Sequence, residues 1–316
     1  MSHKIPTLAI VIPCYNEKEV LPKTKEELCQ LLTYLRQKKI INEKSFLCFV
    51  DDGSKDNTWE IIEKFSLESN IKGIRLSRNC GHQNALLAGL FFVEGLSDAA
   101  VSIDADLQDD IYAIEDMCKK FNEGYEIVYG VRKKRDVDTL FKRTTAEGFY
   151  KIMRLIGVDI IENHADFRLT SKRAIVWLKE FKEVNLFLRG IIPLLGLKSD
   201  IVYYDRKDRF AGKSKYPLKK MLAFAWEGIT SFSVAPLRFI TFLGIAVLIV
   251  SFILSLWALG AKLSGMAISG WTSLVLIVLF LGGVQMLSIG IIGEYIGKTY
   301  KETKRRPRFF VEKIRN

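Results

Sequence analysis

Apolar residues in the first two thirds of the chain come in short runs, separated by more polar stretches of different spacing. Leu8–Ile12, Phe46–Val50, Gly73–Leu76, Ala99–Ile103 and Glu126–Val131 are mostly apolar and of strand length. Between them, Asn57–Phe65 and His82–Leu96 carry helical spacing, with Leu86, Leu87, Leu90 and Phe91 on one side of the second. Strands alternating with helices predict βαβ crossovers and an α/β domain with a mostly parallel sheet.

From Leu140 the pattern changes. Phe149, Ile152, Met153 and Ile156 fall at helical spacing beside Lys151 and Arg154. Leu218, Met221, Leu222, Ala225, Ile229 and Phe232 do so beside Lys219 and Lys220. An apolar face flanked by lysine and arginine predicts interfacial amphipathic helices. Two longer apolar runs follow, Leu237–Leu259 and Trp271–Gly293, with Arg238 their single charged residue. Each is about 23 residues, enough to cross a hydrocarbon core of about 30 Å, and together they predict a two-helix transmembrane hairpin.

The expected organisation is therefore an α/β head over 1–216, a juxtamembrane amphipathic helix over 217–235, two spans within 236–295 and a basic tail over 296–316. Met1–Glu17 holds an apolar stretch of only five residues before Pro13, too short for a signal peptide or a span, so the head is expected in the cytosol. The loop Gly260–Gly270 carries only Lys262, whereas the tail carries Lys298, Lys301, Lys304, Arg305, Arg306, Arg308, Lys313 and Arg315. The positive-inside rule then predicts a multi-pass protein of the inner (plasma) membrane with both termini cytoplasmic.

The formal net charge of +11 fits this picture, because the basic residues gather beside the apolar runs, where anionic lipid is the partner rather than nucleic acid. Five cysteines without CxxC spacing and only three histidines argue for reduced thiols and against a Cys/His zinc site.

Three strand-like runs end in acidic segments: Pro13-Cys14-Tyr15-Asn16-Glu17, Asp51-Asp52-Gly53-Ser54, and Asp104-Ala105-Asp106-Leu107-Gln108-Asp109-Asp110. In a parallel sheet the carboxyl ends of strands share one edge, where open α/β folds place ligands. So many carboxylates around a diphosphate would repel it unless a divalent cation lay between, and oxygen ligands suit Mg2+ or Mn2+. Asp104 and Asp106, two apart, project the same way from extended chain, so one can take sugar or ribose hydroxyls while the other takes the metal. No GxGxxG follows the first strand and no GxxxxGK[ST] occurs, which counts against a dinucleotide oxidoreductase and a P-loop NTPase.

These segments, with Gly130-Val131-Arg132, Asp166-Phe167-Arg168-Leu169 and Arg209-Phe210-Ala211-Gly212-Lys213-Ser214-Lys215-Tyr216 in that order, resemble the family 2 glycosyltransferases of the GT-A fold. The likeness is to the branch holding dolichyl-phosphate mannose synthase and bacterial polyprenyl-phosphate glycosyltransferases, and it covers nearly the whole chain. It implies inverting, metal-dependent transfer of one sugar from a nucleotide sugar, UDP-glucose as the first choice, to a polyprenyl phosphate such as undecaprenyl phosphate. It also implies site roles: Pro13, Tyr15, Glu17 and Asp51 or Asp52 around the nucleoside, Asp104 on ribose or sugar, and Asp106 and Gln108 on the metal. Arg132, Arg209 and Lys215 would neutralise the donor diphosphate and the lipid phosphate, with Arg168 sharing that task and Asp166 as base or orienting group. The QxxRW motif of processive synthases is absent, which favours single transfer. Another lipid acceptor, or an inactive nucleotide-sugar-binding membrane partner protein, are the alternatives. Homo-oligomerisation is left open.

Overall fold

The computed structural model describes residues 5–133, 164–184, 187–205, 230, 234–264 and 270–316. The amphipathic stretches expected around 149–156 and 218–232 lie outside the described residues, except Thr230, and so do Arg209 and Lys215. The chain divides into two compact units, the first drawn from Met1–Arg154, Asp159–Tyr216 and Arg305–Asn316, the second from Leu155–Val158 and Pro217–Lys304.

Within the first unit the five strand-like runs are strands: β1 (Leu8–Cys14), β2 (Phe46–Asp51), β3 (Ile71–Leu76), β4 (Ala99–Ser102) and β5 (Ile127–Arg132). β1 and β2 are buried along their whole length, the sign of strands covered on both faces. Four helices cross between them: α1 (Leu21–Gln37), α2 (Thr58–Phe65), α3 (His82–Val93) and α4 (Ala113–Asn122). α1 starts at Leu21-Pro22, where a proline costs no helical hydrogen bond, and buries Leu21, Thr24, Leu28, Leu31, Leu32 and Leu35 at three- and four-residue spacing. Burial of each leucine contributes roughly 1.5–3 kcal/mol, which anchors this helix on the sheet. α3 packs so closely that a Cβ on Gly89 would lie 2.4 Å from Val11 Cγ1 and 2.8 Å from Val50 Cγ2.

After β5 the chain returns through β6 (His164–Ser171), α5 (Lys172–Leu178), α6 (Leu188–Leu194) and β7 (Ser199–Tyr204). The eight-stranded order is β7-β5-β6-β4-β1-β2-β3-β8, with β8 at Val311–Arg315. β1 runs parallel to β2 and β4, β2 to β3, and β5 to β7. β6 is antiparallel to both β4 and β5, and β8 to β3. The sheet is therefore mixed, with parallel pairs forming its centre.

The last strand lies in the segment read from sequence as a basic tail. β8 pairs Arg315 with Gly73 and Val311 with Leu76, and Ser77 N donates to Phe310 O at 3.0 Å. Two of its charged side chains pair within the first unit: Arg315 with Glu63, and Glu312, whose Oε2 lies 3.5 Å from Arg75 Nε.

The second unit contains α7 (Ala235–Leu263) and α8 (Trp271–Thr303). Their windows Pro236–Leu254 and Phe280–Thr303 have mean hydropathies of 2.5 and 1.3 and are long and apolar enough to cross a membrane. Phe239, Phe242, Phe252, Trp257, Phe280 and Met286 stand exposed on them, an arrangement that water penalises and lipid does not.

Candidate active site

The carboxyl edge of the sheet gathers the acidic loops. β1 pairs with β2 in register as far as Cys14 and Asp51, so their loops leave side by side. Pro13 is buried between them; the β1–β4 ladder ends at Val11, so the missing proline N–H interrupts no pairing. The loops are stitched together: Asn16 N donates to Ser54 Oγ at 2.9 Å, Glu17 N to Thr58 Oγ1 at 2.9 Å, and Lys55 N to Asn16 Oδ1 at 2.9 Å. Tyr15 stays exposed and Glu17 half-buried above this seam.

Asp51 and Asp52 face inward. Asp51 Oδ1 accepts from Ser54 N at 3.1 Å, and Oδ2 lies 3.6 Å from Arg75 Nε. Asp52 accepts from Cys80 N at 2.7 Å and Gly81 N at 2.9 Å, fixing the loop after β3. Burial pushes both carboxyls up, against these hydrogen bonds. Gly53 has φ +64°, and a Cβ there would lie 2.4 Å from the Arg78 carbonyl carbon, so only glycine lets the two loops approach.

The third loop leaves β4. Thr24 Oγ1 donates to Ala105 O at 2.7 Å, tying it to α1. Asp106 Oδ1 accepts from Gln108 N at 3.2 Å, and between them Leu107 takes φ +53°, a strained setting for a bulky residue, held by its burial. Asp109 is buried and bonded to Tyr204 Oη at 2.6 Å and Arg132 Nη2 at 3.1 Å. Arg132, expected on the donor diphosphate, is thus joined to the acidic loop itself. Burial and the Asp109 charge push the Tyr204 hydroxyl up, which keeps it a donor.

Because β6 is antiparallel to β4, its first residues arrive where β4 ends, and Asp166 meets Asp104 across that edge. His82, the first residue of α3, sits between them, its Nε2 3.4 Å from Asp104 Oδ1 and 3.9 Å from Asp166 Oδ2. Arg168 Nη2 donates to Asp166 Oδ1 at 2.6 Å, and Arg189 of α6 approaches both carboxylate oxygens at 3.5 Å. Arg168 is 1% exposed, so its guanidinium serves Asp166 from behind rather than facing an incoming phosphate. Burial alone would raise Asp166, but the charges of Arg168, Arg189 and His82 outweigh it and hold the carboxyl well below the usual range. Asp104 is pushed up, by burial first and then by Asp166, Asp109 and Asp106, with His82 opposing.

His82 and Arg189 were not read from sequence as site residues. His82 could have been found, since Arg78-Asn79-Cys80-Gly81-His82 follows a strand like the acidic loops. Arg189 lies in an apolar run and gives no local signal.

Asp106 and Gln108 offer two hard oxygen donors, and among the described residues no three His, Cys, Asp or Glu converge enough to hold a metal unaided. Such a sparse set suits Mg2+ or Mn2+ held jointly with phosphate oxygens, and does not suit a structural zinc.

Residues 9–176 match the model of the family described as Glycosyl transferase family 2. The chain is 53% identical over 313 residues to a Bacillus subtilis protein named Uncharacterized glycosyltransferase YkoT, covering 99% of this chain and 93% of the relative. It is 40% identical to the Prophage bactoprenol glucosyl transferase homolog of Escherichia coli, over 98% of this chain and 99% of the relative. It is 39% identical to the Bactoprenol glucosyl transferase of Shigella phage SfII, over 97% of each.

Proposed function

This chain belongs to glycosyl transferase family 2, and from that premise we propose that it transfers one glucose from UDP-glucose to a polyprenyl phosphate at the cytoplasmic membrane face, with inversion. The observation that carries the reading is the meeting of Asp104, Asp166, His82, Arg168 and Arg189 at the sheet edge where β4 ends. The relatives named bactoprenol glucosyl transferases support the sugar and the acceptor class.

In this reading the acceptor phosphate oxygen forms a bond to the anomeric carbon as the bond from that carbon to the donor diphosphate breaks. The bonding pair leaves with UDP. Asp106 and Gln108 would hold Mg2+ or Mn2+, which when bound supplies charge to the leaving diphosphate. Asp104 takes sugar or ribose hydroxyls, and the loops fixed by Asp51, Asp52 and Gly53 shape the nucleoside side. Arg132, Arg209 and Lys215 remain assigned to the phosphates.

Phosphate monoesters have a second pKa of about 6, so the acceptor is largely dianionic near neutrality and no proton need be removed. Asp166 suits this chemistry: a carboxyl held well below the usual range is a poor base, and two arginines orient it. A hydroxyl acceptor would need a stronger base there. We further read α7 and α8 as a membrane hairpin with both termini cytoplasmic. Membranes containing the protein, given labelled UDP-glucose, undecaprenyl phosphate and Mg2+, should form a lipid product labile to mild acid. Absence of labelled lipid from this donor and acceptor overturns the proposal.

A further inference from the structure

Asp166 has more positive neighbours than it can neutralise. Arg168 is fully buried and bonds it at 2.6 Å, and one carboxylate balances one guanidinium. Arg189 is a second cation on the same carboxylate. It reaches Asp166 only at 3.5 Å through Nε and Nη2, near the limit of a hydrogen bond, and its side chain is 34% exposed where that of Arg168 is 1%. Of the two arginines, the loosely held, open one is Arg189.

We propose that Arg189 is a further cation at the acceptor phosphate, added to those assigned above, and that it discriminates a prenyl phosphate from a prenyl alcohol, an inference that rests on the function proposed above. A dianion nearing Asp104 and Asp166 meets two carboxylates, and without an exposed cation beside them its approach is electrostatically unfavourable. A guanidinium carries five N–H donors in a planar fork, so Arg189 can keep an edge on Asp166 while another edge bonds phosphate oxygens. The long contacts to Asp166 mean little is lost when the side chain shifts toward the ligand. Arg168 cannot substitute, because it would have to leave a buried carboxylate unpaired. Asp166 is thereby a positioning residue that aims Arg189.

The test is direct binding to the purified full-length protein of farnesyl phosphate, farnesol and UDP-glucose, for the unmodified chain, Arg189→Gln and Arg189→Lys. Loss of a charge-assisted contact predicts that Arg189→Gln weakens farnesyl phosphate binding by roughly tenfold or more. UDP-glucose and farnesol binding should change by less than about twofold, and Arg189→Lys should recover part of the loss as a point charge. With turnover as a second readout, KM for prenyl phosphate should rise and KM for donor should not. Equal farnesyl phosphate affinity in the unmodified protein and Arg189→Gln overturns this inference alone. Equal loss of UDP-glucose affinity also overturns it and moves Arg189 to the donor. An unmodified protein that binds farnesyl phosphate no better than farnesol overturns the inference together with the acceptor assignment.

Discussion

Arg168→Gln tests how the Asp166 site is built. The substitution removes the 2.6 Å partner of a carboxylate that is itself largely buried, leaving Arg189 at 3.5 Å and His82 at 3.9 Å. Breaking a buried pair from one side costs about 3–5 kcal/mol, a large share of the roughly 5–15 kcal/mol that holds a domain folded. The pH dependence follows from the sign of the Asp166 shift. Its folded value is depressed, so its contribution to stability is fully present above the unfolded value of about 3.9 and is lost only as pH falls through the folded value. Burial is the largest influence on this carboxyl, so removal of Arg168 should carry the folded value upward past the unfolded one, and the ionised carboxylate should then become costlier as pH increases. Urea unfolding of the solubilised protein, followed by near-ultraviolet circular dichroism, should show a deficit that is larger at about pH 7 than at about pH 4.5. Asp166→Asn combined with Arg168→Gln removes both charges and should regain at least about half of the single-variant loss. A deficit independent of pH, or a double variant as unstable as Arg168→Gln, would refute this reasoning.

Three further outcomes follow from the geometry. Gly53→Ala places a Cβ at φ +64° and 2.4 Å from a backbone carbon, so it should cost about 2 kcal/mol or more and weaken UDP-glucose binding, read by isothermal calorimetry; unchanged affinity would separate this turn from the donor site. Truncation after Thr303 removes β8 and bares the edge of β3, and should lower the unfolding midpoint of the first unit, whereas an unaltered midpoint would make β8 dispensable. Asp166→Asn should retain measurable transfer with a pH–rate profile of unchanged shape between about pH 6 and 9, because the native carboxylate does not titrate there; loss of an acidic limb with nearly all activity would make Asp166 a true base.

Much of this architecture is legible from one sequence because the central strands are buried on both faces and so read as apolar runs. β8 is not, since Val311-Glu312-Lys313-Ile314-Arg315 is mostly charged and becomes a strand only through pairing with β3. β6 was marked by its Asp166–Leu169 motif but not by its direction, which depends on where the sheet has room. At the site, the acids of the first three loops announce themselves because they stand at or just past the ends of strand-like runs, whereas Asp166 lies inside β6. Arg168 lies within the Asp166 motif, but other partners come from elsewhere in the chain: Arg189 lies 23 positions from Asp166, and Tyr204 lies 95 from Asp109. Periodicity and local motif carry no information about such pairs. Burial likewise reassigns residues: Arg168 and Asp52 read as ligand-facing in a motif, yet both are enclosed and hold neighbouring groups in place.

In the proposed reaction the loop from Asp104 to Gln108, together with a divalent ion, drives sugar transfer to a lipid phosphate. The most direct test uses purified protein, labelled UDP-glucose and undecaprenyl phosphate, with Mg2+ or Mn2+ added back after chelation, for the unmodified chain and Asp106→Asn. Glucosylated lipid should form only with the ion and not with undecaprenol as acceptor, and Asp106→Asn should lose transfer with its circular dichroism spectrum unchanged. Transfer that persists under chelation, or that survives in Asp106→Asn, would contradict that role of the loop and the ion.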